Sequence, residues 1–122
     1  MEEIRKNKET CAKILALSPK IRFVAILNPF GKTMAGQLRK GLRPLFRSDQ
    51  ARDEFFLTAT RESLRKPFES SLGRNHFTLT VYDKVKIVYF SNGNATLYIT
   101  VEKDTSYEEI VKIVEEASSS LR

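Results

Sequence analysis

The stretch Ile21–Gly36, I-R-F-V-A-I-L-N-P-F-G-K-T-M-A-G, decides the fold. Residues Phe23–Leu27 form a continuous apolar run, which is typical of a strand covered on both faces of a sheet. The sequence N-P-F-G at Asn28–Gly31 predicts a turn, because its proline fixes φ near the value of the first turn corner and its glycine can adopt a positive φ. Thr33–Leu38 predicts the returning strand. We therefore expect a hairpin whose first strand lies inside the sheet and whose second strand lies nearer an edge.

Apolar residues at helical spacing predict one helix before this hairpin and one after it. The first spans Glu2–Leu17 and ends before Pro19, and its inner stripe comprises Ile4, Cys11, Ile14 and Leu15. The second spans Asp49–Arg65, with Ser48 or Asp49 as its cap. Its buried positions are expected among Ala51, Phe55, Leu57, Ala59 and Leu64.

Three strands follow the second helix. Phe77–Tyr82 alternates apolar and polar residues, Val85–Phe90 is largely apolar, and Ala95–Val101 alternates again. The sequence N-G-N at residues 92–94 is a strong signal for a hairpin between the last two strands, because asparagine and glycine tolerate the positive φ of such turns. The pattern therefore predicts that these strands pair antiparallel.

A final helix is signalled by a capping box, in which Ser106 is followed three positions later by Glu109. Its inner stripe is formed by Ile110, Val114, Ala117 and Leu121. The complete order is αββαβββα. This order predicts an α+β fold, with a five-stranded, mostly antiparallel sheet and three helices, and we expect residues 1–122 to form a single domain.

Composition limits the class of protein. The chain has 122 residues and a formal net charge of +6; residues 23–74 carry ten basic and five acidic side chains, whereas residues 75–122 carry five and seven. A basic part of this kind suits either self-association of unlike surfaces or binding to an anion such as nucleic acid. No apolar run approaches the roughly 18 residues of a membrane helix, so we expect no membrane partner. The lone Cys11, expected in the core, favours a reducing, cytoplasmic compartment.

No pattern of catalytic or metal-binding residues is found in the sequence. Gly31-Lys32-Thr33 resembles the end of a phosphate-binding loop, but Ile26 stands where that loop needs a glycine, and a strand follows instead of a helix. His76 is the only histidine and has no second histidine or cysteine near it in a metal-binding spacing. We therefore expect no enzyme activity, no metal and no cofactor.

Two groups of basic residues and one pair of aromatic residues are the candidate sites. The basic groups lie on the segment Gln37–Arg47, which Gly41 and Pro44 predict to be a loop, and at the end of the second helix. The seven basic candidates are Arg39, Lys40, Arg43, Arg47, Arg61, Arg65 and Lys66. They suit an anionic ligand or nucleic acid, but a solvated loop and cations at a helix C-terminus explain them equally well.

The aromatic pair is Phe55 and Phe56. Together with Leu57 they are consecutive and cannot all face one helical stripe, so at least one of the three must meet another surface. We regard Phe55 and Phe56 as candidate interface residues.

The whole chain is similar to a family of small archaeal (thaumarchaeal) proteins that share I-R-F-V-A, then N-x-x-G-K, then A-G-x-x-R-K-G-L-x-P-L. The matching residues here are Ile21–Ala25, Asn28, Gly31, Lys32, Ala35, Gly36, Arg39, Lys40, Gly41, Leu42, Pro44 and Leu45. The order of elements also resembles that of roadblock and profilin-like sensory α/β folds. Roadblock domains usually dimerise and serve as platforms for small GTPases, so this resemblance implies, by analogy, a homodimer with a protein partner.

Three functions are consistent with these patterns. The first is a non-catalytic interaction or regulatory domain that forms a homodimer. The second is a sensor of a small anionic molecule, held between the sheet and the loop 37–47 by Arg39 and Arg43. The third is nucleic-acid binding through the basic residues between positions 39 and 66, with Phe46 or Tyr82 stacking on bases.

Overall fold

The computed structural model describes residues 1–120. It contains one sheet with five strands: β1 (Ile21–Leu27), β2 (Thr33–Leu38), β3 (Thr78–Val81), β4 (Val85–Asn92) and β5 (Ala95–Glu102). The strand order is β2-β1-β5-β4-β3, and every neighbouring pair is antiparallel. The predicted five-stranded antiparallel sheet is confirmed. As expected, β1 lies inside the sheet and β2 at an edge, while β5 is the central strand.

Three long helices accompany the sheet, as predicted. They are α1 (Glu2–Leu15), α2 (Ser48–Arg65) and α4 (Tyr107–Ser120), and the four-residue α3 (Glu69–Leu72) follows α2 after a 3₁₀ turn at Lys66–Phe68. The Ser106 hydroxyl accepts a hydrogen bond from the Glu109 N–H at 3.1 Å, which confirms the predicted cap of α4. Leu121, the last residue of the predicted stripe on α4, lies outside the described residues.

The sheet carries a helical layer on each face, which explains why β1 is apolar from Phe23 to Leu27. On one face, α1 and α4 pack through residues such as Cys11, Ile14 and Ile110 against alternate residues of β1, β4 and β5. On the other face, Phe55 of α2 packs on a smaller cluster that includes Leu27 and Tyr98. Cys11 is 1% exposed, as expected of a core residue, and burial raises the pKa of its thiol to about 11.

The start of α1 differs from the prediction. Ile4, assigned to the inner stripe, is 53% exposed. The buried residues of α1, Cys11, Ile14 and Leu15, all lie in its last two turns, so only that end of the helix packs on the sheet. The helix also ends at Leu15, two residues earlier than the Leu17 predicted.

The details of α2 also differ. The predicted caps, Ser48 and Asp49, are wrong: the helix begins at Ser48, and the Gln50 side chain accepts a hydrogen bond from the N–H of Arg47, the residue before it. Leu57 and Leu64, predicted to be buried, are 62% and 68% exposed. The helix presents only a narrow face to the sheet, so three of its six apolar residues, Phe56, Leu57 and Leu64, are exposed.

The β1–β2 turn is held against α2. Asn28 Oδ1 accepts hydrogen bonds from the N–H groups of Phe30 and Lys32, both at 2.9 Å, and this closes the predicted turn. Gly31 adopts a φ of 84° and lies so close to α2 that a Cβ at this position would be 2.5 Å from the Cα of Phe56. The turn therefore needs glycine both for its φ and for its contact with the helix.

Candidate functional site

The two candidate interface residues lie in different environments. Phe55 is 6% exposed; its ring stacks on Phe23 and meets Tyr98 edge-on, with centroids 6.2 and 5.0 Å apart. Phe55 is therefore a core residue in this structure and does not offer a surface to a partner. Phe56 is 56% exposed, as expected if one of the consecutive apolar residues faces away from the sheet.

Phe56 lies next to the β1–β2 turn, where a second aromatic ring is exposed. Phe30 is 80% exposed, and it lines a shallow depression with Phe56 and Arg52. The contact between Gly31 and the backbone of α2 fixes the turn relative to the helix. We call Phe30 and Phe56 the turn patch.

A larger apolar surface extends from α2 to the β3 edge. We call it the α2–β3 face; its residues are Leu57, Arg61, Leu64, Phe68, Leu72 and Tyr82. Leu57, Arg61 and Leu64 are spaced four and three residues apart and so share one side of α2. Their exposed neighbours continue the surface, since Leu57, Arg61 and Tyr82 line one depression and Arg61, Phe68 and Leu72 line the next. The five apolar members are each between 52% and 72% exposed.

Polar contacts beneath α2 hold this face in place. The hydroxyl of Tyr98, in the central strand, donates a hydrogen bond of 2.7 Å to the Glu54 carboxylate. Burial, together with this hydrogen bond, raises the pKa of the Tyr98 hydroxyl, which therefore stays protonated. The Tyr89 hydroxyl next to Arg61 raises the pKa of that guanidinium, so Arg61 remains a cation on the exposed face.

The basic candidate Arg39 forms hydrogen bonds within the protein. Its guanidinium donates to the backbone carbonyls of Ile21, Leu15 and Ser18 at 2.7, 2.7 and 2.8 Å. These contacts tie the end of β2 to the end of α1 and to the connection that follows it. The side chain therefore has a structural role, in which three of its five N–H donors are used.

The other six basic candidates fall into two separate groups. Lys40, Arg43 and Arg47 lie between β2 and α2, where Arg47 pairs with Asp49 at 3.3 Å. Arg61, Arg65 and Lys66 lie at the other end of α2, where Arg65 stacks over Phe68 at 4.7 Å. The two groups are separated by roughly 21 Å along α2, between Arg47 and Arg61. They do not form one continuous basic surface, and Phe46 and Tyr82 are likewise far apart in the fold, on different sides of α2.

Several surface residues could not be selected from the sequence alone. The sequence marks Phe30 only as part of a turn, and it places Leu57 and Leu64 in the core. The available signal was the excess of apolar residues in α2, which the aromatic pair already indicated.

No helix among residues 1–120 is both long and apolar enough to cross a bilayer. Within that same range, the structure also brings together no group of three or more histidine, cysteine or acidic side chains that could hold a metal ion.

Solved structures of known proteins share this architecture. The gliding protein MglB from Thermus thermophilus is 12% identical, with 97% of this chain and 87% of that chain covered and a TM-score of 0.77. MglB from Myxococcus xanthus is 15% identical, with 99% of this chain and 88% of that chain covered and a TM-score of 0.76. A roadblock/LC7 domain from Streptomyces avermitilis is 14% identical, with 93% of this chain and 96% of that chain covered and a TM-score of 0.64.

These likenesses establish the fold. No protein-family model matches the sequence, and no curated protein matches it significantly. The roadblock-like α+β fold expected from the order of elements is confirmed. The resemblance to archaeal proteins stays a prediction.

Proposed function

We propose that this chain is a non-catalytic interaction and regulatory domain, which forms a homodimer and offers a platform to a protein partner. The observation that carries the proposal is the α2–β3 face, where five exposed apolar side chains lie along one side of α2 and around the two depressions beside it. Single exposed apolar residues are common on monomers, but a contiguous group usually marks a site of association. The shared fold with MglB and a roadblock/LC7 domain supports the proposal.

The edge of the sheet suits pairing with a second copy. β3 pairs with β4 on one side only, so the peptide groups along its other side have no strand partner among the described residues. Its sequence, T-L-T-V, contains no proline and no charge, the features that commonly block an edge strand. Two copies related by a two-fold axis would join their β3 strands antiparallel, with the same apolar residues of α2 meeting on both sides.

Charge on the α2–β3 face is compatible with this contact. The depression lined by Phe68 and Leu72 also carries three arginines, Arg61, Arg65 and Arg74, and two glutamates, Glu62 and Glu69. In a two-fold arrangement, a cation of one copy can meet an acidic residue of the other. The proposal thus requires these arginines to pair with acidic residues or to lie at the solvated rim of the contact.

The turn patch remains free in such a dimer and is the proposed contact for a protein partner. Phe30 is exposed on the β1–β2 turn, and Phe56 lines the depression beside that turn, whereas Leu57 lines the one beside Tyr82. Aromatic residues are enriched at the centres of protein interfaces. A small GTPase is the partner class that the resemblance to roadblock domains implies.

Self-association is tested by light scattering after size exclusion, with two variants of adjacent residues. The wild type is expected at twice the 14.0 kDa of one chain. Leu57→Glu is expected to be a monomer, because the charge would lie inside the interface. Phe56→Glu is the matched control, since it places the same charge one residue away on the turn patch, and it should remain a dimer.

Two results would overturn the dimer. One is a wild type that stays monomeric at every concentration up to about 1 mM, and the other is a Leu57→Glu variant as dimeric as the wild type. Partner binding is tested separately by capture from native lysate, in the presence of GTP or GDP. Wild type should retain a protein that Phe56→Glu does not retain, and equal capture by both would exclude the turn patch.

A further inference from the structure

A small cavity lies between the sheet and the loop that connects β2 to α2. Its volume is about 130 Å³. Its walls are mostly apolar and come from β1, β2, α2 and the loop, and they include Phe23, Leu38, Phe46 and Phe55. The loop residues Pro44 and Leu45 form the outer wall, and Leu45 is 43% exposed. We call this space the sheet–loop cavity.

Two buried polar atoms belong to the residues that line this cavity. Arg22 Nε and Thr100 Oγ1 have no hydrogen-bond partner among the protein atoms of residues 1–120. Thr100 is 2% exposed, and Arg22 is held in place by an ion pair between its Nη1 and the Glu102 carboxylate. An unsatisfied buried polar group destabilises the fold, so buried groups of this kind usually have partners. Here both occur at one site.

The size of the cavity argues for more than a water molecule. A space of about 10–15 Å³ is enough for one water, and this cavity is roughly tenfold larger. An apolar cavity of about 150 Å³ is known to admit benzene, so the volume here suits a body of one six-membered ring. Water could satisfy Arg22 and Thr100 but would gain nothing from the aromatic walls.

The charges around the cavity define the polar part of the ligand. Arg22 Nε–H can only donate, so the ligand must present an acceptor atom there. The Arg22 charge is already balanced by Glu102, and a carboxylate ligand would approach that second carboxylate. A neutral oxygen, of a carbonyl or a hydroxyl group, meets both conditions. The Thr100 hydroxyl can donate to the same oxygen or accept from a ligand hydroxyl.

We propose that the sheet–loop cavity binds a small neutral ring compound that carries one carbonyl or hydroxyl oxygen, with Arg22 donating to that oxygen. The site lies where the sequence predicted a sensor, between the sheet and the loop 37–47, but its polar group is Arg22. Arg39, one of the two residues expected to hold an anion, instead donates to backbone carbonyls. The proposal does not depend on dimer formation.

The test is a titration of the ¹⁵N-labelled protein, followed by ¹H–¹⁵N spectra, with four probes. Phenol and cyclohexanone carry a neutral oxygen, benzene carries none, and benzoate carries a charge. Phenol and cyclohexanone are expected to shift the amide signals of Phe23, Phe46 and Thr100. Benzene should bind about tenfold more weakly, as expected from the loss of one hydrogen bond to a charged donor. Benzoate should bind more weakly than phenol.

Variants separate the site from binding elsewhere. Arg22→Met and Thr100→Val remove the two polar atoms, and each should reduce the affinity for phenol towards that for benzene. Ala51→Phe fills the cavity and should abolish binding of all four probes. If Ala51→Phe loses its native spectrum, Leu45→Trp is used to fill the cavity in its place, because Leu45 lies on the exposed loop. Arg43→Met is the matched control, because Arg43 lies on the loop outside the cavity wall, and it should bind as the wild type does.

Three results would overturn the proposal. The first is the absence of shifts at the cavity residues with any probe at millimolar concentration, which would mean that the space holds only water. The second is phenol binding that persists in Ala51→Phe, because the probe would then lie elsewhere. The third is tighter binding of benzoate than of phenol, because the site would then select an anion.

Discussion

Replacement of Gly31 by alanine tests whether the contact between the β1–β2 turn and α2 is as close as the structure indicates. Gly31 has a φ of 84°, where an L-residue costs roughly 1–2 kcal/mol. In addition, the new Cβ would lie 2.5 Å from Phe56 Cα and 2.7 Å from Phe55 O. Both are backbone atoms of a helix, so relief requires moving the whole turn away from α2.

The two contributions can be added. Forcing extra atoms into a packed contact costs roughly 1–3 kcal/mol, so Gly31→Ala should lower the free energy of unfolding by about 2–5 kcal/mol. Gly41 and Gly73 have φ values of 90° and 85°, and a Cβ at either position meets no atom within 4 Å. Gly41→Ala and Gly73→Ala should therefore show the conformational cost alone, about 1–2 kcal/mol at Gly41. At Gly73, whose ψ of 176° lies in a region that almost only glycine adopts, the cost is about 1–3 kcal/mol.

Urea unfolding of the three variants, monitored by circular dichroism, measures the difference. We expect Gly31→Ala to lose at least about 1 kcal/mol more than Gly41→Ala. Equal losses in all three would mean that the turn moves freely relative to α2, and the turn patch could not then be a fixed surface. A larger loss in Gly41→Ala would contradict the assigned contacts directly.

Two further perturbations follow from the buried contacts. Arg39→Met removes hydrogen bonds to three carbonyls and should lower the free energy of unfolding in urea by roughly 2–3 kcal/mol. Arg43→Met, at an exposed position, should change it by no more than about 0.5 kcal/mol. Equal effects of the two substitutions would refute the structural role of Arg39. Because burial raises the pKa of Cys11 to about 11 from 9.0, its neutral thiol contributes stability that is complete below pH 9 and is lost between pH 9 and 11. Wild type should therefore lose more unfolding free energy than Cys11→Ala between about pH 7 and pH 10.5, and parallel profiles would contradict this.

The sheet could be predicted because its signals are local. The apolar run Phe23–Leu27, the turn glycines and the alternation in Ala95–Val101 each fix a strand and the faces it presents. The capping box at Ser106 located the start of the last helix. Since hairpins connect strands that are adjacent in sequence, most of the pairings followed from the order of elements.

The surfaces were harder to predict, because they depend on which side of an element meets the sheet. Leu57 and Leu64 have the residue type of a core position, but α2 has one narrow contact with the sheet, and both lie outside it. The contacts of two charged residues, Arg39 and Arg22, could not be predicted from the sequence either. In the sequence Arg39 belongs to a basic cluster, whereas its partners are backbone carbonyls distant along the chain, which carry no sequence signal. Arg22 gave no signal, although it lines the sheet–loop cavity.

The central position of β5 has a consequence for how the protein is made. The hairpins β1–β2 and β3–β4 share no strand pairing with each other, and only β5 connects them, for example through the pairs Val24–Ile99 and Ile99–Val88. During synthesis, each hairpin leaves the ribosome with an unpaired inner edge and apolar faces that only later residues can cover. The sheet can therefore be completed only after the residues beyond Ala95 have been synthesised. A chain that stalls before that point would expose two unpaired strand edges, which are prone to aggregate.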